Sequence, residues 1–510
     1  MTAPAPAIEL TGISKRFGAV QANRDVSLRV AAGSIHGIVG ENGAGKSTLM
    51  SILYGFYEAD SGEIAIAGKP CRIRTPADAI AAGIGMVHQH FMLVDTLSVV
   101  ENVVLGAEGG AWLSGGLKRA RAELTRLSAE YGLAIDPDAI VGELSVGFQQ
   151  RVEILKALYR GAQILILDEP TAVLTPPEAD QLFALLRALR DQGKTVVLIT
   201  HKLREIMQAT DRVSVMRRGE MVAHLATAET SPPELAEAMV GRRVLLQVEK
   251  APRPRGAKVL EAVGLDLVDA RGVALLSGID VTLHQGEIVG IAGVAGNGQS
   301  ELLEVLAGLS HPSRGVVRLD GQMLTGADRS PAHLRKLGLM HIPEDRHRTG
   351  LVTAFSAAEN AILGYHDDPA LGPGPFLSPA TIAARAGETF AAYDVRPPDP
   401  ALKTANFSGG NQQKIVLARE IERAPKVLLV GQPTRGVDIG AIEFIHRRLI
   451  ALRDAGVAIL LVSVELEEVM ALSDRILAMC GGRIIGERTA EAADERDLGL
   501  LMAGVTEKAA

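Results

Sequence analysis

Short β-branched and aliphatic runs, Ile35–Val39, Ile164–Leu167 and Val196–Ile199, alternate in the first half of the chain with longer stretches of helical periodicity such as Ala179–Arg190. That alternation predicts a largely parallel α/β sheet. Two stretches rich in Gly and Pro, Gly106–Gly116 and Leu371–Pro379, read as surface loops; Trp112 lies in the first and has no assigned role.

The pattern repeats. GSIHGIVGENGAGKSTLM, containing Gly40, returns as GEIVGIAGVAGNGQSELL, containing Gly293. LSVGFQQ and ILILDEPT return as FSGGNQQ and VLLVGQPT. Two homologous domains account for such self-similarity. Between them, Ala251, Pro252, Arg253, Pro254, Arg255 and Gly256 form a Pro/Gly-rich polar run that suits a linker. The expected organisation is a first domain over 1–245, a linker over 246–258 and a second domain over 259–510.

Composition narrows the class. With 510 residues, each half is long enough to bury a core without disulfides or metal staples. Apolar residues make up 47% and charged residues 22%, as in ordinary globular proteins, and no stretch has the length of a membrane span. The N-terminus lacks a secretory pattern, so the expected compartment is the cytoplasm. Cys71 and Cys480 form no metal or redox spacing and are expected as buried small hydrophobes. A net charge of -7 disfavours nucleic acid as a partner.

The run Gly40, Glu41, Asn42, Gly43, Ala44, Gly45, Lys46, Ser47 fits GxxxxGK[ST], directly after the apolar segment Ile35–Val39. Its glycines let backbone N–H groups turn toward phosphate oxygens, aided by the N-terminus of the following helix, which includes Thr48. Lys46 is expected to bridge the β and γ phosphates of ATP, and Ser47 to offer its hydroxyl to Mg²⁺. Asp168 and Glu169 end another apolar run. Alternation along a strand turns them different ways, so Asp168 can serve the Mg²⁺ shell while Glu169 polarises an attacking water. A solvated acidic turn is the ordinary reading of such a pair, and only the upstream loop changes the balance. His201 follows a third apolar run and is a candidate for the γ-phosphate.

Together the loop, LSVGFQQ, LDEPTAVLTP and NFSGGNQQK resemble the ATP-binding cassette ATPases over nearly the whole chain. The resemblance implies, for each half, a RecA-like P-loop α/β core, a helical subdomain bearing the signature and a small antiparallel β region. It also implies head-to-tail association, each ATP lying between the loop of one cassette and the signature of the other. By matching position, Phe17 would stack on adenine and Gln89, in MVHQHF, would join the Mg²⁺ shell and face a permease. Ser408, Gly409, Gly410 and Gln412 would supply the signature.

The second cassette departs from this pattern at nearly every chemical position. Gln299 stands for Lys46, Gly431 and Gln432 for Asp168 and Glu169, Val464 for His201, Ala270 for Phe17, and Glu344 for Gln89. A neutral amide cannot offset phosphate charge, and Gln432 cannot accept a proton. The signatures show the reverse. Leu144, Ser145, Val146, Gly147, Phe148 has lost a glycine that Phe407, Ser408, Gly409, Gly410, Asn411 retains. Crosswise pairing would then place the damage in one composite site and leave the Lys46 site to hydrolyse ATP.

Fused cassettes with IPEDR, NFSGGNQQK, QPTRGVDIGA and a VELEE-type switch resemble the ATPase subunits of bacterial simple-sugar and nucleoside importers. ELSVGFQQRVEILKALYR and GVAGNGQSELLE look closer to the nucleoside branch. The implied partners are two membrane permeases and, through them, an external solute-binding lipoprotein, with this subunit peripheral on the cytoplasmic face of the membrane. A soluble tandem-cassette ATPase acting on ribosomes or DNA is the alternative. Arg346, His347, Arg348 and Arg447, Arg448 are expected as solvated surface charge.

Overall fold

A computed structural model describes residues 5–505 apart from 19, 89–90, 107–112, 172–173, 175, 244–247, 249, 295, 374–375 and 438. The chain divides into two compact units, Met1–Val244 and Leu245–Ala510.

In the first unit, strand Ile35–Val39 lies between Thr195–Thr200 and Arg212–Arg217. Ile164–Asp168 and Ile84–Val87 extend the parallel sheet on one side, and Glu220–Ala226 adds an antiparallel edge on the other. The second unit repeats that order around Ile288–Ala292, with Ala458–Val462, Val427–Gly431 and Leu339–Ile342 on one side. Arg475–Cys480 and Arg483–Thr489 lie on the other. Each unit also has a four-stranded antiparallel sheet, built in the first on Ile8–Phe17 and in the second on Lys258–Val268.

Both faces of each parallel sheet are buried, which is why its strands read as continuous apolar runs. Along Thr195–Thr200, Val196 and Leu198 pack with the signature-bearing helix Val146–Tyr159, while Val197 and Ile199 pack with Leu49 and Leu53 of the helix after the phosphate loop. Residues alternate between the faces, so the strand ends project functional groups at fixed heights. The predicted helix Ala179–Arg190 lies within Pro176–Asp191.

Several expectations change. The first Gly-rich segment is not a loop throughout: helix Leu113–Tyr131 already includes Gly115 and Gly116. A first helical turn donates no intrahelical N–H bond, so glycine costs little there. Residues 107–112, with Trp112, lie outside the described residues. Cys71 and Cys480 are half-buried free thiols, Cys71 packing at the margin of a core. Arg346 is no solvated charge: its guanidinium donates to the Arg435 carbonyl at 2.8 Å, and burial lowers its pKa. Arg447 pairs with Glu443 at 2.8 Å, and Arg448 sits over the Tyr393 ring.

The Pro-rich run is strapped to the second unit. Lys250 donates to the Ser473 carbonyl, Arg253 to that of Asp454, and Arg255 pairs with Glu287 at 3.1 Å. The fully buried Arg453 donates back to the Ala251 carbonyl at 2.5 Å and to Asp474 at 2.9 Å.

Candidate functional site

The loop Gly40–Gly45 runs from strand Ile35–Val39 into helix Lys46–Leu53. Gly45 has φ 98°, and a Cβ there would lie 2.3 Å from the Ala22 carbonyl, so only glycine lets the loop close. Asn23, fully buried beneath, donates to the Gly45 carbonyl at 3.1 Å. Lys46 is 5% exposed and curls over the loop, donating to the carbonyls of Gly40 at 2.6 Å and Glu41 at 3.1 Å. Burial lowers its pKa, against the opposing pull of Glu169, Asp168 and Glu41. Asn42 and Gly43 are exposed, Ala44 is buried, and Ser47 and Thr48 occupy the first helical turn.

Asp168 ends its strand 9% exposed and accepts a hydrogen bond from Ser47. Desolvation and the neighbouring Glu169 raise its pKa. Glu169 leaves the strand with φ 47°, a left-handed conformation unusual for a side-chain-bearing residue, while its N–H still donates to Ile199 at 2.9 Å. His201 Nδ1 meets Glu169 Oε1 at 2.9 Å. Burial alone would raise the Glu169 pKa, but the His201 hydrogen bond and the charges of His201, Lys46 and Lys202 hold it below its ordinary value. Lys46, Ser47, Asp168, Glu169 and His201 thus gather at the carboxyl ends of three adjacent parallel strands, where open α/β sheets bind ligands. Gln89 lies outside the described residues.

Phe17 is 41% exposed at the end of its strand and meets Tyr57 edge-to-face at 5.0 Å. No motif pointed to Tyr57. Thr171 and Glu205 were also missed: Thr171 donates to Glu205, tying the segment after Glu169 to the helix after His201. Their nearness to DEP and HK in the sequence was the available signal.

In the second unit Gln299 is 6% exposed and donates to the Val294 carbonyl at 3.0 Å, below Gly298 with φ 102°. Gln432 keeps the left-handed bend, φ 46°, and accepts from the Val464 N–H at 3.2 Å. The loop and bend persist after their charges have gone.

The two signatures differ in the same unit-by-unit way. Ser408 caps helix Gly409–Ile421, accepting from Asn411, whereas Ser145 makes no side-chain cap. A Cβ on Gly409 would lie 2.6 Å from Arg346 Nη2 and 2.9 Å from the Gly436 carbonyl. Gln412 is turned inward: it donates to the carbonyls of Thr404 at 3.0 Å and Phe407 at 3.2 Å and meets His347 at 2.7 Å. It buttresses the turn formed by Ser408, Gly409 and Gly410.

A family model described as ABC transporter matches residues 23–172 and again 276–435. The chain belongs to this family. It is 45% identical to a nucleoside import ATP-binding protein of Lactococcus lactis, covering 98% of both chains. To a guanosine import ATP-binding protein of Bacillus subtilis it is 47% identical, over 99% of this chain and 98% of the relative. To a glucose import ATP-binding protein of Haloferax volcanii it is 46% identical, over 98% and 96%. As an ABC transporter subunit with two cassettes, the protein is an ATPase.

Proposed function

We propose that this ABC ATPase energises import of a nucleoside through two partner permeases served by an external solute-binding lipoprotein, and that it hydrolyses ATP at the Lys46 loop. Full-length similarity to nucleoside and guanosine import proteins supports the solute class. The glucose import relative, at 46%, supports a simple sugar as the second reading. Among the described residues no helix is long and apolar enough to cross a membrane, which fits a peripheral subunit on the cytoplasmic face.

One observation carries the catalytic assignment: Lys46, Ser47, Asp168, Glu169 and His201 converge in the first unit, whereas the matching second-unit positions hold no lysine, general base or histidine. The Ser47 and Asp168 oxygens, hydrogen-bonded to each other, suit a hard divalent cation. Mg²⁺ held there, with Gln89, would offset phosphate charge. Lys46 leaves the loop carbonyls for the phosphates, Glu169 orients and deprotonates the attacking water, and His201 fixes the Glu169 carboxylate. Phe17 offers its ring to adenine. Ser408, Gly409 and Gly410 are the signature that the family resemblance assigns to this same nucleotide, with Gln412 positioning them.

Isolation from membranes with its permeases, reconstitution in vesicles and uptake of labelled nucleoside against labelled sugar tests the proposal. Nucleoside uptake that needs ATP and Glu169 is expected. Sugar uptake would favour the second reading, and co-purification with ribosomes alone would overturn both.

A further inference from the structure

The two signature turns are backed by opposite charges. In the second unit a guanidinium edge rests on the turn: Arg346 Nη2 lies 2.6 Å from where a Cβ on Gly409 would stand and 3.5 Å from one on Gly436. In the first unit the neighbour is a carboxylate, with Glu178 Oε1 2.9 Å from a Cβ on Gly147. Neither charge is repeated across the units. Ala441 stands in line with Glu178, and Arg346 opens the π-type turn Arg346–Gly350, which has no match in the first unit among the described residues.

Both turns start helices, Val146–Tyr159 and Gly409–Ile421, and the positive end of a helix dipole favours a carboxylate and disfavours a cation. Glu178 therefore suits its place without a ligand, whereas Arg346 is set against the field. Burial and the nearby charge of Arg435 also act against it, offset by Asp345, whose carboxylate already accepts the N–H groups of His347 and Arg348. Its hydrogen bonding is incomplete as well. Nη1 donates to the Arg435 carbonyl, while the buried Nε and the Nη2 against Gly409 have no partner among the described residues. A desolvated cation so placed gains most from an anion that joins it. Beside it, Ser408 Oγ accepts from the Asn411 N–H at 3.4 Å and from Asn411 Nδ2 at 2.9 Å, which leaves its own O–H proton to donate.

We propose that Arg346 binds the terminal phosphate of ATP beside the second unit's signature turn, its guanidinium supplying the positive charge and the Ser408 hydroxyl a further donor. This rests on the reading that Ser408, Gly409 and Gly410 serve the Lys46 nucleotide. ADP lacks that phosphate, so Arg346 separates substrate from product: it strengthens the hold on ATP and loses its anion once the γ-phosphate departs. At the first unit's turn Glu178 repels the same anion.

The test is steady-state ATP turnover by the full chain, with ADP as competing product. Arg346→Gln, which keeps bulk and removes charge, should lower kcat/KM for ATP by about tenfold or more, the worth of one charge-assisted hydrogen bond, while the inhibition constant of ADP stays where it was. Arg346→Lys returns the charge and should recover most of the lost kcat/KM. An unchanged kcat/KM in Arg346→Gln, a loss of ADP affinity as large as the loss for ATP, or Arg346→Lys no better than Arg346→Gln would each overturn the proposal; the second of these marks an arginine that only holds the fold. Turnover that survives Glu169→Gln would sink the Lys46 reading instead, so the two fail separately.

Discussion

The side-chain amide of Gln299 donates to the Val294 carbonyl at 3.0 Å, in the hydrogen-bonding place that the Lys46 ammonium takes with the Glu41 carbonyl at 3.1 Å. The two residues share a scaffolding duty and differ in charge. Gln299→Ala should lower the stability of the second unit by about 1–2 kcal/mol, the cost of an unmade buried hydrogen bond. Lys46→Ala should cost a comparable amount in the first unit and also remove ATP turnover. Denaturant unfolding followed with ATPase assays separates the shared effect from the unshared one.

Glu169 should set the acid limb of turnover. Its carboxyl is held below the ordinary range by His201, Lys46 and Lys202 against the opposing effect of burial, so it stays ionised and basic through neutral pH. Activity should fall only as the pH drops through that lowered value. His201→Ala removes the hydrogen bond and leaves burial less opposed, so the acid limb should move to higher pH. Glu169→Gln should lower kcat by about 10² to 10⁴ at every pH. A kcat profile that keeps its acid limb in His201→Ala would reject the coupling.

Much of this site is legible in the chain because strand ends and glycine turns leave local marks. Ile164–Asp168 declares itself by an apolar run ending in acid, and Gly45 by its place before Lys46. What distance creates is not legible. The sequence presents Gly431 and Glu344 as two separate replacements, of Asp168 and Gln89, and only adjacent strand pairing shows that Glu344 packs where a side chain on Gly431 would lie. The same holds for Arg346: three basic residues in a row read as solvated, yet the first turns inward against Gly409 and the Arg435 carbonyl. The polar run 251–256 has linker composition, while its arginine and backbone contacts depend on Arg453 and Asp454, some 200 residues later.

Gly409 should not tolerate the valine found at its counterpart, Val146. Val146 is 39% exposed, whereas a Cβ at Gly409 would meet Arg346 and the Gly436 carbonyl within 3 Å. Gly409→Val should destabilise the second unit by about 1–3 kcal/mol through overpacking. It should also lower turnover at least tenfold if the signature serves the Lys46 nucleotide. Arg346→Ala combined with Gly409→Val should regain stability without regaining full turnover, since the branched side chain still narrows the approach to the turn. Calorimetry and ATPase rates on the three variants decide it.

Acid should weaken the first unit through His36. This histidine is 2% exposed, its Nε2 meets Ser214 Oγ at 2.8 Å, and the same hydroxyl meets His224 Nδ1 at 2.8 Å. Burial, then the charges of His224 and Arg212, lower its pKa from 6.5 to about 4. The folded state therefore holds His36 neutral while the unfolded chain takes up a proton near pH 6.5. Below that pH the unfolded state binds more protons, so stability should fall as pH drops, by at most about 1.4 kcal/mol per unit from this residue, until the folded value is reached. His36→Gln should cost stability at neutral pH, since its amide fits the serine less well, yet flatten the slope between pH 6.5 and 4.5. Urea midpoints measured across that window for both chains provide the comparison, and parallel slopes would place the acid sensitivity elsewhere.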